Sequence, residues 1–461
     1  MNPKQPIKVS FSLNSPPIKG QSPFIWQESV VKKEPQDIPI EKAIGAPEGA
    51  IGVLRAAFAK SLNRYHIWDL SHIKDKKPYL YAARVFKRGV QVQDAPHSSL
   101  KGGYEIVFKK EVCLKDEPFF QEGFVVVDEK VHACWHKSLA AKKPHIFSLT
   151  ETSKDLSSVF NLIEKWQQDG RKKHWFIIGG GVLSDTAAFC AALLGCDFTL
   201  MPTTLLAMVD ACVGGKTGVN FPPFGKNQVG LFAFPSKVIM APCLTKTLPK
   251  RQLNAGTAEA LKHAILKGDR ELCEKIAMMN NPFSYHELLL IIRPLIEVKA
   301  QVVAKDPSEK SIRATLNLGH TLAHALEAIS HQHAKDILLH GEAVGLGLLF
   351  AAMLSKACGH LPQEQASYIE DSLKKSGCLM DLASLKKHLG IEDLESSVFL
   401  DKLLTHIHQD KKRGPSGASQ WVLLKSLGQC VNEGGSYTVP VPDEAIKNTF
   451  ASFTKKLAAL T

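Results

Sequence analysis

A long apolar run is the first feature that the sequence lacks. No stretch of about 18 uninterrupted apolar residues occurs in the 461-residue chain, although 44% of its residues are hydrophobic in type. A membrane-spanning helix is therefore not expected. The first residues, Met1-Asn-Pro-Lys-Gln-Pro, also lack the apolar segment of a secretory signal, so we expect a cytoplasmic protein without a membrane partner.

Paired cysteines and nucleic-acid-binding patterns are also missing. The ten cysteines include no CxxC pair, and most lie in apolar surroundings, as Cys190 and Cys212 do, so they are interpreted as buried thiols in a reducing compartment. The net charge is +12, and the first 100 residues hold 15 Lys and Arg against 8 Asp and Glu. Because aromatic residues do not alternate with basic ones, no nucleic-acid partner is expected, whereas an anionic small molecule fits this charge.

Length and composition predict more than one domain. Residues 1–100 are predicted to be an N-terminal extension, partly disordered and of unknown function, because Pro, Lys, Ser and Gln dominate its first half. Within this extension, the patterns predict a short amphipathic helix at 50–65 and a strand at 79–86.

Two structured domains are predicted after the extension. In the first of them, the sequence predicts strands at 104–108, 124–128 and 175–178, and a helix at 156–168 between the second and third strands. Such alternation is typical of a Rossmann-like α/β domain with a parallel sheet, here 101–247. Strand patterns then disappear, so an all-α domain is predicted for 248–461, with a buried helix near 343–354. We expect the active site in a cleft between the two domains.

A glycine run follows one strand and precedes a helix predicted to begin at Thr186. In Gly179-Gly-Gly-Val-Leu-Ser-Asp185, glycines would let the backbone approach a pyrophosphate at a helix N-terminus. A tight turn without a ligand is an equally good interpretation of the triplet alone. Lys216, in Gly-Gly-Lys-Thr-Gly, does not belong to a Walker P-loop because the preceding glycine spacing differs. Asp128, which ends another strand, is the predicted ribose partner.

Polar residues with helical spacing occur further along the chain. Interpreted as one helix, residues 313–327 would place Arg313, Asn317, His320 and His324 on one face. A solvated polar face is the alternative interpretation of this stripe.

Glu259 and His340 lie in two further polar segments, upstream and downstream of this stripe. A carboxylate and two imidazoles are a common zinc-binding set, although each residue alone could be a hydrogen-bonded core residue. Glu259, His320 and His340 are therefore the predicted metal ligands, with Zn²⁺ preferred and Co²⁺ as a substitute.

These motifs resemble elements of the 3-dehydroquinate synthases. His320-Thr-Leu-Ala-His324 is similar to the GHTxGH element of that family, and Ala258-Glu-Ala-Leu-Lys262 is similar to its AExxK element. His340-Gly-Glu-Ala-Val resembles its HGEAV element. The resemblance implies an NAD-binding domain at 101–247 and a zinc- and substrate-binding domain at 248–461.

The resemblance also implies which residues contact each ligand. The implied NAD contacts are Asp128, Glu151, Lys154, Gly180, Gly181, Val182, Asp185, Thr203, Thr204, Asp210, Lys216, Lys226, Leu244 and Thr247. The implied contacts to the substrate phosphate are Lys216, Asn227, Lys262, His324 and either Lys411 or Lys412. The implied contacts to the substrate carboxylate are Lys299, Arg313 and Asn317.

The reaction implied is the ring closure of 3-deoxy-D-arabino-heptulosonate 7-phosphate to 3-dehydroquinate, a step of the shikimate pathway to aromatic amino acids. NAD would transiently oxidise a hydroxyl held on zinc, phosphate would leave, and hydride would return before an aldol step closes the ring. A homodimer is the implied assembly. Leu194 stands where the family has an arginine that reaches the neighbouring subunit.

Three alternatives are left open at this point. A different sugar phosphate cyclase would alter the residues around Asn317 and Gly319. A zinc- and NAD-dependent alcohol dehydrogenase would need no phosphate-binding cluster. An inactive NAD-binding scaffold, whose basic N-terminal region binds a partner, would have no need to keep the metal, phosphate and carboxylate positions.

Overall fold

A computed structural model describes two parts of the chain, which are residues 7–10 and 104–460 except for 113, 115–116, 118–119, 140, 142, 222–224, 279–284, 307–308, 310, 335 and 411–417. The elements predicted at 50–65 and 79–86 lie outside the described residues, and so do Lys411 and Lys412. Within the described ranges, no helix is both long and apolar enough to cross a lipid bilayer. The chain divides into two compact units, Met1–Thr247 and Leu248–Thr461.

Strands and helices alternate in the first unit. Its described strands are β1 (Ile7–Ser10), β2 (Glu105–Phe108), β3 (Phe124–Asp128), β4 (His145–Phe147), β5 (His174–Gly179), β6 (Asp197–Pro202), β7 (Lys216–Phe221), β8 (Gly225–Phe232) and β9 (Lys237–Met240). Its described α-helices are α1 (Glu129–Leu139), α2 (Leu156–Gln168) and α3 (Gly181–Leu193). Shorter helical turns are the 3₁₀ segments Glu151–Ser153 and Pro242–Thr247 and the π-helical segment Ala207–Ala211.

Seven of these strands form one sheet in the order β1-β2-β9-β6-β5-β3-β4. The strands from β2 to β4 in this order are parallel, whereas β1 pairs with β2 in antiparallel register. Every residue of β5 from Trp175 to Gly179 is buried, which is typical of a parallel sheet covered on both faces. The Rossmann-like α/β prediction is confirmed. The strand β1 lies in the N-terminal extension that composition predicted to be partly disordered.

Two helices of this unit show how closely local patterns locate an element. The helix α2 has the predicted bounds, and Asp155 caps it by accepting a hydrogen bond from the backbone N–H of Ser158 at 3.2 Å. The helix α3 begins at Gly181, five residues before the predicted start at Thr186. The glycine turn, Gly179–Gly181, therefore joins the two elements directly, because Gly179 ends β5, Gly180 is the N-cap and Gly181 begins α3.

Helices dominate the second unit, as predicted. They are α4 (Lys250–Lys267), α5 (Arg270–Ala277), α6 (Tyr285–Lys305), α7 (His320–His333), α8 (His340–Ala357), α9 (Gln363–Lys375), α10 (Leu382–Leu389), α11 (Ser397–Asp410) and α12 (Asp443–Ala458). The helix α8 packs against α4, α7, α9 and α12 and is buried along most of its length, which confirms the predicted core helix.

Four short strands interrupt the helical pattern in the described part of this unit, although no strand was predicted after residue 248. They are β10 (Ser419–Trp421), β11 (Leu424–Ser426), β12 (Gln429–Cys430) and β13 (Val439–Val441). They form two antiparallel pairs, β10 with β13 and β11 with β12. Strands of two or three residues are too short to show an alternating pattern.

The continuous helix predicted for 313–327 is wrong. A 3₁₀ segment covers Ile312–Asn317, and α7 begins only at His320. Between them, Gly319 has a left-handed φ of 79°, and a Cβ atom there would lie 2.9 Å from the backbone nitrogen of Leu348 in α8. Glycine is required because φ is positive and the backbones approach closely. The turn places His320 at the N-terminus of α7.

Candidate active site

The glycine turn between β5 and α3 places backbone N–H groups at a helix N-terminus. A Cβ atom on Gly179 would lie 2.8 Å from Cδ2 of Leu183 and 3.3 Å from Cβ of Asp128. A side chain at this position would therefore require Leu183 to shift. Because the first N–H groups of a helix lack intrahelical acceptors and carry positive potential, this turn can bind an anionic group.

Asp128 lies at the same edge of the sheet as the glycine turn. It ends β3, which pairs in parallel register with β5, so the carboxyl ends of both strands point to one side. Its Oδ1 atom accepts hydrogen bonds from the backbone N–H groups of Lys130 at 3.0 Å and Val131 at 3.2 Å. The predicted ribose partner is therefore held in place by the first turn of α1.

Lys154 forms hydrogen bonds to Asp185 and Asn227, which are two other residues predicted to contact ligands. Its side chain is only 4% exposed, and Nζ lies 2.6 Å from Oδ2 of Asp185 and 2.7 Å from Oδ1 of Asn227. Burial raises the pKa of Asp185 above its usual value, and the ammonium of Lys154 offsets only part of that rise. Asn227, a predicted phosphate contact, thus belongs to the same hydrogen-bonded group as Lys154 and Asp185, which are predicted NAD contacts.

The hairpin of β7 and β8 is fixed next to this group through Asn220. The side-chain amide of Asn220 donates to the backbone oxygen of Glu151 at 2.9 Å, and its Oδ1 accepts from the backbone N–H of Asn227 at 2.9 Å. Asn227 has a left-handed φ of 50°. Lys226 lies 3.6 Å from Oε1 of Glu151, so two further predicted NAD contacts face each other. Asn220 itself was not predicted.

The other predicted NAD contacts occupy several elements of this unit. Thr203 donates its backbone N–H to the carbonyl of Gly179 at 3.0 Å, and Oγ1 of Thr204 accepts from a backbone N–H at 3.1 Å. Lys216 begins β7 and is exposed. The remaining predicted contacts are Gly181 and Val182 in the first turn of α3, Asp210 in the π-helical segment, and Leu244 and Thr247 in a 3₁₀ segment.

In the second unit, three helices bring Glu259, His320 and His340 together. Glu259 lies within α4 and is fully buried, while His320 and His340 are the first residues of α7 and α8. Oε1 of Glu259 lies 3.3 Å from Nε2 of His320 and 3.4 Å from Nε2 of His340. Ligand atoms of a tetrahedral zinc ion lie about 3.3–3.4 Å apart, because each bond is about 2.0–2.1 Å long. The three residues fit a divalent cation.

The electrostatic environment favours an ionised Glu259 and a neutral His320, which are the forms that bind a cation, whereas it favours a protonated ring at His340. Burial alone would raise the pKa of Glu259, but Lys262 and His320 hold it well below the usual range. Burial, with Lys262 nearby, lowers the pKa of His320 to about 4, so its ring is neutral at physiological pH. Burial opposes charge on His340, yet the carboxylates of Glu327 and Glu259 raise its pKa to about 10. Both carboxylate oxygens of Glu259 are buried, and neither accepts a well-oriented hydrogen bond.

The ring nitrogens on the far side of these imidazoles also have partners. Nδ1 of His320 lies 3.1 Å from the backbone oxygen of Leu318, and Nδ1 of His340 lies 3.2 Å from Oε2 of Glu327. A ring that donates from Nδ1 keeps a lone pair on Nε2, the atom that faces Glu259. Glu327 is a buried carboxylate that was not predicted from the sequence.

Lys262 and His324 lie beside this group of ligands. Nζ of Lys262 is 2.5 Å from Oε2 of Glu259, and the lysine side chain is 1% exposed. The ring of His324 lies 5.4 Å from that of His320 and 6.2 Å from that of His340, measured between centroids. Two predicted phosphate contacts are thus adjacent to the predicted metal ligands.

The predicted carboxylate contacts lie on neighbouring elements. Arg313 is 2% exposed, and its backbone N–H donates to Oδ2 of Asp306 at 3.0 Å. Asn317 donates its side-chain amide to Oε1 of Glu309 at 2.9 Å. Lys299, in α6, is 7% exposed. Glu309, with a left-handed φ of 56°, was missed because no periodic pattern marks it.

Comparison with known proteins agrees with this arrangement. Residues 145–255 match the family model "3-dehydroquinate synthase N-terminal", and 256–413 match "3-dehydroquinate synthase C-terminal". The 3-dehydroquinate synthase of Opitutus terrae is 37% identical over 320 residues, which are 67% of this chain and 84% of that protein.

Two solved structures share the fold at lower identity. A 2-epi-5-epi-valiolone synthase from Streptomyces hygroscopicus, with NAD⁺ and Zn²⁺ bound, has a TM-score of 0.63 at 22% identity and covers 77% of this chain and 97% of its own. A 2-deoxy-scyllo-inosose synthase, complexed with carbaglucose-6-phosphate, NAD⁺ and Co²⁺, has a TM-score of 0.61 at 23% identity and covers 76% and 96%. At this identity the likeness concerns the fold. The two family models, which together match more than half of the chain, and the 37% identical relative show that the chain belongs to the 3-dehydroquinate synthase family and is a lyase.

Proposed function

We propose that the chain converts 3-deoxy-D-arabino-heptulosonate 7-phosphate to 3-dehydroquinate and phosphate. The observation that carries the proposal is the group of Glu259, His320 and His340 with Lys262 and His324 beside it. A phosphorylated substrate bound next to a divalent cation needs metal ligands for the cation and basic side chains for the phosphate. The enzyme class is that of the family, a lyase that breaks a carbon–oxygen bond as phosphate leaves.

The glycine turn and the ligand group are proposed to hold NAD and Zn²⁺, with Co²⁺ as a substitute. Gly180, Gly181 and the N-terminus of α3 would face the pyrophosphate, and Asp128 would accept the ribose hydroxyls. NAD would accept a hydride and return it, and the metal would acidify a substrate hydroxyl as a Lewis acid. The proposed metal ligands are Glu259, His320 and His340, since their separations suit a tetrahedral ion with an open position.

Cationic and amide groups of the chain are proposed to orient the substrate. The proposed phosphate contacts are Lys216, Asn227, Lys262, His324 and Lys411 or Lys412. Such a set suits a phosphate dianion, because the lysines act as point charges and several donors can each form a hydrogen bond to its oxygens. The proposed carboxylate contacts are Lys299, Arg313 and Asn317, with Glu309 orienting the amide of Asn317. A guanidinium can bind a carboxylate through two parallel hydrogen bonds.

The proposed contacts support a different role for each domain. We propose that 101–247 binds NAD and that 248–461 binds the metal and most of the substrate. We also propose a homodimer that works in the cytoplasm without nucleic-acid or membrane partners. The nine cysteines in the described part of the chain are all free thiols, which fits a reducing compartment.

The proposal is tested by phosphate release from the full chain after loading with Zn²⁺ and NAD. We expect release from the heptulosonate phosphate, no release from glucose 6-phosphate or sedoheptulose 7-phosphate, and no build-up of NADH. Metal analysis should give about one equivalent per chain. Steady accumulation of NADH would instead indicate a dehydrogenase. Binding of NAD without turnover of any sugar phosphate would indicate an inactive scaffold.

A further inference from the structure

The carboxylate of Glu327 reaches from one ligand-bearing helix to the other. Glu327 lies in α7, two turns after His320, and its side chain is 2% exposed. Its Oε2 atom lies 3.2 Å from Nδ1 of His340, the first residue of α8. The other nitrogen of that ring, Nε2, lies 3.4 Å from Oε1 of Glu259. The imidazole of His340 is thus held between two buried carboxylates.

The second imidazole of the group is held differently. Nδ1 of His320 faces the backbone oxygen of Leu318, which the turn at Gly319 fixes in place. One ring is therefore oriented by a neutral carbonyl that no side-chain substitution removes. The other is oriented by an ionisable side chain that contributes negative charge.

We infer that Glu327 is a positioning residue that orients His340 and strengthens it as a metal ligand. This inference rests on the proposed metal site. A carboxylate that accepts from Nδ1–H fixes the tautomer in which Nε2 keeps its lone pair, and it makes that nitrogen more basic. Its charge also adds to that of Glu259 opposite a divalent cation, at a place where Lys262 already contributes positive charge.

Two substitutions separate orientation from charge. Glu327→Gln keeps the size of the side chain and one acceptor oxygen but removes the charge, whereas Glu327→Leu removes both. Loss of such a partner weakens metal binding by about 10- to 100-fold in metalloenzymes. We expect a roughly tenfold weaker Zn²⁺ affinity for Glu327→Gln and a loss nearer a hundredfold for Glu327→Leu.

Glu370→Gln is the matched control. Its carboxylate is also largely buried, but its partners are Lys374 and Lys456, both 2.7 Å away. It therefore reports the general effect of neutralising a buried carboxylate in this unit. Its Zn²⁺ affinity should equal that of the wild type.

The experiment titrates the full metal-free chain with Zn²⁺ in competition with a chelating indicator, and then with Co²⁺ while the visible absorption bands are recorded. Far-ultraviolet circular dichroism checks that each variant is folded. The inference is supported if both Glu327 variants bind Zn²⁺ more weakly than Glu370→Gln and the Co²⁺ bands shift. A purely structural role would lower thermal stability without moving those bands.

Two results would overturn the inference, and they differ in what they say about the metal site. If the wild type binds Zn²⁺ tightly and Glu327→Gln binds it equally tightly, only the role of Glu327 is wrong. If the wild type binds neither Zn²⁺ nor Co²⁺, the metal site and the role of Glu327 are both wrong. Should Glu327→Leu fail to fold, the near-isosteric Glu327→Gln still decides the question.

Discussion

Arg251 forms two parallel hydrogen bonds with Glu342, from Nε to Oε1 at 2.6 Å and from Nη2 to Oε2 at 2.8 Å. Arg251 lies in α4, which carries Glu259, and Glu342 lies in the first turn of α8, which begins with His340. Oε2 of Glu342 also accepts from the backbone N–H of Leu339 at 2.8 Å. This pair connects two of the helices that supply the predicted metal ligands.

Replacing Arg251 should therefore weaken both the fold and the metal site. Arg251→Met leaves Glu342 without its bidentate partner, and we expect a loss of about 1–2 kcal/mol, since the guanidinium is partly exposed. The melting temperature of the metal-free chain should fall by roughly 2–8 °C. Arg293→Met is the control, because Arg293 is 47% exposed and pairs with Glu297 within its own helix. Equal melting temperatures for both variants would contradict this role for Arg251.

Gly319 should tolerate no side chain. Gly319→Ala combines a left-handed φ, which costs about 1–2 kcal/mol for alanine, with overpacking against α8, which typically costs about 1–3 kcal/mol more. Gly359→Ala is the control, because its φ is 77° and nothing lies within 4 Å of its added Cβ. Chemical denaturation should show the larger loss for Gly319→Ala. If both variants lose the same free energy of unfolding, the close approach to α8 carries no cost.

Arg313→Lys should lower kcat/KM for the heptulosonate phosphate by roughly 10- to 150-fold, because a lysine cannot reproduce two parallel hydrogen bonds to a carboxylate. Zn²⁺ and NAD content should not change, since neither is proposed to bind this residue. Arg293→Lys is the control, because Arg293 is 47% exposed and pairs with Glu297 within its own helix. Steady-state kinetics with an unchanged kcat/KM for Arg313→Lys would contradict the proposed carboxylate contact.

Lys154→Met should weaken NAD binding by about 10- to 100-fold, because bonds to charged groups contribute about 1.5–3 kcal/mol each. The substitution removes the cation next to Asp185, so burial would raise the pKa of that carboxyl further. Lys165→Met, at an exposed position of α2, should leave affinity unchanged. Calorimetric titration with NAD measures both variants. Equal dissociation constants would show that Lys154 does not support the cofactor site.

Local patterns predicted the elements whose signals lie within the element itself. The helix α8 could be predicted because its residues are apolar on all faces, and β5 because it is a short apolar run before glycines. The predicted helix at 313–327 failed because helical periodicity does not register the left-handed φ of Gly319. The close packing at Gly319 also involves Gly347 and Leu348, which lie in a different helix.

The residue types of the candidate site could be predicted from motifs, but their supporting partners could not. Glu327 and Arg251 act on residues of other helices, so neither appears as part of a local pattern. Asn220 and Glu309 likewise become visible only through hydrogen bonds to predicted residues. Such partners meet only through tertiary packing, and the spacing of residues along a single sequence does not reveal them.

The origin of Glu259, His320 and His340 in three separate helices also affects how long the protein survives. In an unfolded chain these three side chains are not held close together. A metal ion would therefore bind the folded second unit far more tightly than the unfolded one. At a free Zn²⁺ concentration of 100 times Kd, such preferential binding stabilises the folded state by about 2.7 kcal/mol. Zinc supply would then govern the rate at which proteases degrade the chain, whether or not substrate is present.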